Sequence, residues 1–463
     1  MLEKKNLMAS EFMPACKRHQ ASRQSSLRRM FLSMLWPMIL ADITQAASSA
    51  LNMWWVERLR GIQAAAVVSG VYPFFLLLLP LIVGIGAGSS VLIGTSWGAG
   101  KIDEMRKTAS NGFIVSISAG LCVGVLGLCQ AEHMTTILHF PEFLQPDAID
   151  YVRVIMLSMP ALFALWYLVM TGRAVGDAVT PLWALTLAAL LSGILTPLFL
   201  EAWRIGLPRF QVWVVALAAG LSYLLATIWI VVRCWLGQHV LAPDHYRYWS
   251  VDFRLLGRIL RIGIPTCGQI VAIAVSELVL VALVGRHGTT ALAAYGAVNQ
   301  IFFWIQFPII SIGAVTAILA SQLIGAGERQ FVPQVVRIAI ALNVGIIGPA
   351  VLLLYLLSPI LLKYYIGDAR ASVISGQMID IVGWSFLPLG LANIYCAVMR
   401  AGKIVMMPTM LWIVVIFAIE LPISIYFDKI IGLSGIWYGY AAGYVMSYLL
   451  FIGYYKIISN NFS

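Results

Sequence analysis

Four carboxylates stand inside long apolar runs of this chain of 463 residues: Asp42, Glu277, Asp380 and Glu420. Charge is expensive to bury among hydrocarbon, so an acid in such a place is kept to pair, to titrate or to hold a cation. With a helical rise of about 1.5 Å per residue, Asp42 falls roughly halfway along its run. Glu277 lies roughly 12 Å from the end of its run, and Asp380 and Glu420 roughly 10 Å from the corresponding ends of theirs. Three acids of the second half thus share one depth. Carboxylates at one level suit a pocket that takes a proton or Na⁺ from one side, whereas acids that merely cap separate helices need no common level. Glu277 with Asp380 is the expected cation site, Na⁺ included, with Glu420 as a third member and Asp42 as a separate titrating group. Arg153, at a similar depth in the first half, has Asp150 as its obvious partner for a structural ion pair. Tyr72, Trp166, Tyr295, Trp304 and Trp384 also lie within the runs, where an aromatic face either packs or receives a lipophilic cation across a cavity.

The elements that must carry these groups follow from composition. The chain is 61% apolar and 11% charged, against about 45–50% and about 25% in soluble domains. Apolar runs of bilayer-spanning length recur from end to end. The expected fold is an all-α integral membrane protein with twelve transmembrane helices. Spans 1 to 6 fall at about 30–56, 64–96, 108–131, 148–172, 181–203 and 211–235. Spans 7 to 12 fall at about 255–285, 290–324, 331–357, 373–399, 406–427 and 434–457. A basic segment, 1–27, precedes the first lobe, 28–235; a polar linker, 236–254, leads to the second lobe, 255–458.

The two lobes are repeats. Ser96-Trp97-Gly98-Ala99-Gly100-Lys101 returns as Ser321-Gln322-Leu323-Ile324-Gly325-Ala326-Gly327, with Gly98 and Gly325 separated by 227 residues. The same spacing links Gly61 to Gly288, Gly86 to Gly313, Arg173 to Arg400 and Pro181 to Pro408, while Pro37, Pro80 and Pro160 meet Pro265, Pro308 and Pro388 at 228. An even number of spans per half starts both halves on one side, so the repeats are parallel, with substrate sites expected near mid-membrane between them. The Gly-Ala-Gly turns close spans 2 and 8, where glycine permits a tight reversal. The first does not complete a phosphate-binding loop, because its opening Gly and closing Ser/Thr are missing and it follows a helix. Arg173 and Arg400 end spans 4 and 10, where a guanidinium can bind free carbonyls.

With the N-terminus cytoplasmic, 21 Lys and Arg fall on the cytoplasmic side and 8 on the other, which sets both termini inside. The net charge of +10 is therefore a topology signal more than a nucleic-acid one. The six cysteines, Cys16, Cys122, Cys129, Cys234, Cys267 and Cys396, lack metal-ligand spacing and read as small buried hydrophobes. Trp54, Trp55, Tyr364, Tyr365, Trp437 and Tyr438 fall at predicted interfaces as belt anchors. Asp103-Glu104 is the only adjacent acidic pair and sits on a basic loop, which leaves an intramembrane enzyme without its metal-binding acids.

These residues carry a family resemblance. Trp36-Pro37-Met38-Ile39-Leu40, Ala64-Ala65-Ala66 and Gly98-Ala99-Gly100 resemble the multidrug and toxic compound extrusion (MATE) family. So do Gly263-Ile264-Pro265, Gly288-Thr289-Thr290-Ala291-Leu292-Ala293-Ala294-Tyr295-Gly296, Gly325-Ala326-Gly327 and Met399-Arg400-Ala401-Gly402, with Arg173-Ala174-Val175-Gly176-Asp177 as the first-half counterpart. The resemblance implies a secondary exporter in a cell membrane, the inner one of a bacterium, with small amphipathic or cationic substrates and inward H⁺ or Na⁺ as the coupling ion. It implies no cofactor, no nucleic-acid partner and a monomer surrounded by membrane lipid. Acids on spans 7 and 10, matched by Glu277 and Asp380, would bind the ion. The family's first-lobe Asp, about fifteen residues after the span-1 Pro, is replaced by Asn52 in Leu51-Asn52-Met53, which leaves Asp42 as the substitute. Asn52, Tyr72, Tyr295 and Trp304 are the expected cavity residues. An exporter of a lipid-linked precursor or a specific metabolite with this architecture is the alternative.

Overall fold

The structure, a computed structural model, describes residues 20–137, 140–202, 211–237, 239–241, 251–365 and 369–459. Most of the expected basic segment 1–27 and of the linker 236–254 lies outside the described residues, as do the side chains of Tyr364 and Tyr365. All twelve expected spans are helical. Span 1 is Gln20–Arg60, span 2 Ile62–Gly98 and span 3 Ile102–Ile137. Span 4 is Gln145–Leu157 with Met159–Ala174, span 5 Val179–Ala202 and span 6 Trp213–Leu236. Span 7 is Phe253–Gly285, span 8 Thr289–Gly325 and span 9 Val332–Tyr365. Span 10 is Ala369–Val382 with Phe386–Ala401, span 11 Met406–Ile431 and span 12 Leu433–Ser459.

Prolines shape three of these helices. Span 4 bends by 45° at Ser158, two residues before Pro160. Its repeat counterpart, span 10, tightens to a 3₁₀ turn at Gly383–Ser385, just before Pro388. Proline cannot donate to the preceding turn and its ring crowds the carbonyl four residues back, so each helix breaks there rather than strain. Span 11 widens into a π turn at Val415–Glu420, immediately ahead of Pro422.

The repeated glycines divide into two kinds. Gly61 and Gly288 open spans 2 and 8 at φ 84° and 99°, and Gly100 and Gly327 turn the chain at 72° and 77°. These are left-handed conformations that a side chain resists. Gly98 and Gly325 instead mark where the lobes touch. A Cβ on Gly98 would collide with the Gln322 carbonyl, and one on Gly325 with the Thr95 carbonyl. The two contacts exchange under the 227-residue repeat, as a pseudo-twofold axis requires.

The lobes meet mainly through span 2 against spans 7 and 8, and span 1 against span 8. Gly84 faces Gly263, Gly88 faces Ile259 and Gly94 faces Ser321, all in the halves of the helices nearer the Gly-Ala-Gly turns. Gln322 Nε2 donates to the Ala174 carbonyl at 2.9 Å across the same seam. Even the first turns of span 1, with Phe31 and Leu35 fully buried, share the second lobe's hydrophobic core. Toward the other end, span 2 leaves Tyr72 58% exposed, and near its middle span 8 leaves Trp304 52% exposed. Cys122 and Cys129 are exposed rather than buried, because an apolar run in a bilayer satisfies itself against lipid as well as core. Trp437 is the reverse correction: it is fully buried, not an interface anchor, while Tyr438 is exposed.

Candidate functional site

The second lobe holds a buried polar cluster built by spans 7, 8, 11 and 12. Glu277 Oε2 accepts from Tyr295 Oη at 2.6 Å and from Tyr440 Oη at 2.9 Å. The two phenols also lie 2.6 Å from each other. One turn of span 12 further, Tyr444 is close enough to interact electrostatically with Glu277 and Glu420. Glu420 is buried, and its Oε1 accepts from Ser276 Oγ at 3.0 Å. The neighbouring positions of Ser276 and Glu277 bring both carboxylates into one electrostatic neighbourhood. Trp437 stacks on Tyr295, centroids 5.9 Å apart and planes 9° off parallel, and closes the cluster on one side.

Two carboxylates among hydroxyls, walled by aromatic rings, can hold a proton shared between oxygens or a small desolvated cation. No three His, Cys, Asp or Glu side chains gather into a metal centre among the described residues. The expected pairing of Glu277 with Asp380 is not what forms. Asp380 is exposed, only its backbone carbonyl accepts the Tyr355 hydroxyl, and its side chain takes no part in the cluster. Equal depth along two helices does not fix equal facing. Tyr295, expected at an open cavity, is 4% exposed and belongs to the acid cluster. Tyr440, Tyr444 and Ser276 escaped sequence reading, although Tyr440 and Tyr444 stand four apart on one face of span 12.

The first lobe carries a different polar set. Asp42 Oδ2 accepts from Ser311 Oγ of span 8 at 2.9 Å, and its Oδ1 lies 3.8 Å from Arg173 Nη2. Arg173 is buried, and its Nε and Nη2 make no hydrogen bond. It does not cap its own helix end. Its repeat partner Arg400 behaves alike, donating to Gln269 Oε1 at 3.3 Å, and Gln269 lies 227 residues after Asp42. The two lobes thus present one arginine device, with a carboxylate as its partner in the first lobe and a neutral amide in the second. Asn52 Nδ2 donates to Ser192 Oγ at 2.8 Å between spans 1 and 5, and its Oδ1 is buried without a partner. Tyr72 is exposed toward the end of the molecule away from the turns, and Trp304 is exposed near the middle of span 8. Arg153, expected to pair with Asp150, pairs with Glu132 at 2.9 Å.

Outside the spans, Asp177 Oδ1 accepts from the Val179 and Thr180 amides at 3.0 Å each, capping span 5, and Oδ2 faces His239 Nε2 at 3.3 Å. Burial pulls the Asp177 carboxyl up, but hydrogen bonds from His239 and Thr180 outweigh it and hold its pKa down at about 2. The Leu241 amide donates to His239 Nδ1 at 3.3 Å, so the neutral imidazole carries its proton on Nε2.

Two parallel six-helix lobes with buried acids between apolar spans define a polytopic membrane protein of the transporter class. The MatE family matches residues 37–198 and 265–426, one copy in each lobe. The chain belongs to that family, the multidrug and toxic compound extrusion transporters. It is 30% identical over 443 residues, 95% of this chain and 96% of the relative, to "Probable multidrug resistance protein YoeA" of Bacillus subtilis. It is 23% identical over 319 residues, 67% of this chain and 68% of the relative, to a protein named "FAD transporter" in Shewanella oneidensis. Its fold matches the crystal structure of a mutant of the Vibrio cholerae MATE transporter VcmN with a TM-score of 0.87, over 94% of this chain and 98% of that one, at 19% identity.

Proposed function

We propose that this protein exports amphipathic, cationic small molecules from the cell in exchange for inward H⁺ or Na⁺, by rocking its two lobes. The observation that carries this reading is the cluster of the half-buried Glu277 with the buried Glu420, Tyr295 and Tyr440 in one lobe. An ion bound there neutralises carboxylate charge, and differential stabilisation of one lobe arrangement couples it to the substrate. The Lys and Arg bias supports cytoplasmic termini, which makes the tightly joined turn end the cytoplasmic one. In this state the cytoplasmic seam is closed by the glycine contacts and by Asp42 held to Ser311. Release of Ser311 frees Asp42 to close fully on Arg173 as the lobes part on that side.

The test is purified protein in sealed vesicles loaded with a fluorescent lipophilic cation, under a Na⁺ gradient and a pH gradient imposed separately. Dye movement driven by either gradient, and abolished by Glu277→Gln and Glu420→Gln, is expected. Movement that survives both substitutions sinks the site assignment.

A second reading is export of an anionic metabolite. It draws on the name of the Shewanella relative and on the buried Arg173, whose Nε and Nη2 donate no hydrogen bond although Asp42 lies 3.8 Å away. Transport of a flavin nucleotide in the same vesicles, with no dye movement under either gradient, would select it.

A further inference from the structure

Asp380 faces away from everything that the second lobe buries. On span 10, Ser375 Oγ donates to the Ala294 carbonyl of span 8 at 3.5 Å, and Met378, Ile379 and Val382 join the lobe's hydrophobic core. Val373, Gln377, Asp380 and Trp384 recur at helical spacing on the opposite face, and all four are exposed. Gly376 and Gly383 face Leu362 and Tyr355 of span 9 on one side of this stripe. Gln377 Oε1 accepts from Ser434 Oγ of span 12 at 3.3 Å on the other. Spans 8, 9 and 12 thus flank the rest of span 10, and the stripe faces lipid. Asp380 lies about three turns in from Ala369, within the hydrocarbon.

The first lobe shows how a charge at this level is otherwise met. Arg153 stands seven residues before Pro160, and Asp380 stands eight before Pro388. Arg153 is neutralised from span 3 by Glu132, at 2.9 Å. Span 9, the counterpart of span 3, has no charged residue between Arg337 and Lys363, and span 12 has none before Lys456. Neither neighbour therefore brings a base to the level of the Asp380 carboxylate.

What lies beside the carboxylate is aromatic. Trp384, one turn further along the stripe, is 48% exposed. The Tyr355 hydroxyl donates to the Asp380 carbonyl at 3.1 Å and is close enough to interact electrostatically with the carboxylate. A carboxylate among apolar groups favours a cation beside it, and an indole face adds to that attraction. Hydrated metal ions keep to water, and the ammonium groups of lipids keep to the headgroup level. A cation whose charge is shielded by an apolar body suits the depth of Asp380.

We propose that Asp380 and Trp384 form a lipid-side site for one lipophilic organic cation dissolved in the leaflet away from the Gly-Ala-Gly end. The site lies on the face of span 10 opposite the lobe's core, apart from the acid cluster, and binding there needs no transport. The experiment is equilibrium dialysis of tetraphenylphosphonium against the full chain in lipid nanodiscs, with uptake by empty nanodiscs subtracted. Asp380→Asn, which keeps the shape and removes the charge, is expected to weaken one bound phosphonium by roughly tenfold or more. Trp384→Leu weakens the same one by roughly two- to tenfold.

Glu277→Gln and Glu420→Gln should leave that phosphonium in place, which separates this site from the one that transport depends on. Tyr355→Arg, which brings span 9 a base as span 3 brings Glu132 to Arg153, should displace it. Neutral triphenylphosphine oxide should not be held above the empty-disc level. Retention unchanged in Asp380→Asn, loss in the Glu277 or Glu420 variants, or equal retention of the neutral compound would each overturn the assignment.

Discussion

The carboxylates divide by what surrounds them, and that division predicts which ones transport depends on. Glu420 has its own donor in Ser276, and Glu277 is gripped by two phenols. Asp380 stands exposed outside that network. Gradient-driven efflux is expected to fall to background in Glu277→Gln and Glu420→Gln and to persist in Asp380→Asn, with dye movement in vesicles as the measurement. The acids themselves were legible, because charge inside an apolar run is visible in one sequence. Their partners were not: Tyr440 and Ser276 belong to residue types common in membrane helices, and only facing singles them out. Asp177 makes a prediction of another kind. Its pKa lies below its unfolded value because His239 and the Thr180 hydrogen bonds favour the anion against burial. Its contribution is therefore present above the ordinary carboxylate range, near 3.8, and is lost as pH falls through about 2. Asp177→Ala should cost about 1 kcal/mol at neutral pH through the lost cap. Thermal midpoints recorded against pH should show that deficit shrinking on acidification.

Spans 4 and 10 break just before a proline, while Pro37, Pro265 and Pro308 sit inside continuous helices, and here the sequence was readable in part. Pro160 and Pro388 were recognisable as a repeated pair, and both spans break just before them. The π turn before Pro422 was not visible, since the apolar pattern of span 11 runs through it without interruption. A widened turn leaves depth nearly unchanged but rotates everything beyond it. Glu420 was therefore given its level and not its partner. The turns after spans 4 and 10 show one local conflict. Gly176 takes φ 94°, and the residue 227 positions later, Lys403, takes φ 64°. A lysine held left-handed costs about 1–2 kcal/mol that glycine does not. Lys403→Gly is thus expected to stabilise the protein by up to about 1 kcal/mol after the greater unfolded freedom of glycine is set against it. A scanning-fluorimetry midpoint that rises checks this, and one that falls means Lys403 makes a contact worth more than its strain.

At the scale of the whole molecule, repetition is the strongest signal in the chain, because glycine and proline positions are fixed by backbone geometry and survive when side chains drift. It gave twelve spans, two lobes and their parallel relation. It could not give the arrangement of the lobes, which depends on contacts between them that no local pattern encodes. Those contacts gather at the Gly-Ala-Gly end, where Gly98 and Gly325 let each helix reach the other's backbone. Added bulk there meets backbone rather than a flexible side chain, so the seam cannot close around it. The lobes can still rock, and the arrangement opened at that end needs no such approach. Gly98→Ala or Gly325→Ala should therefore shift the population toward it, with Asp42→Asn acting in the same direction by weakening the tie to Ser311. Reporter cysteines at Ser96→Cys, buried at the seam, and Tyr72→Cys, exposed toward the far end, read the two arrangements. Thiol labelling should rise at the first and fall at the second. A rise at both would mean loosened packing instead of a rocked molecule, and no change at either would mean that the glycine seam does not set which end is open.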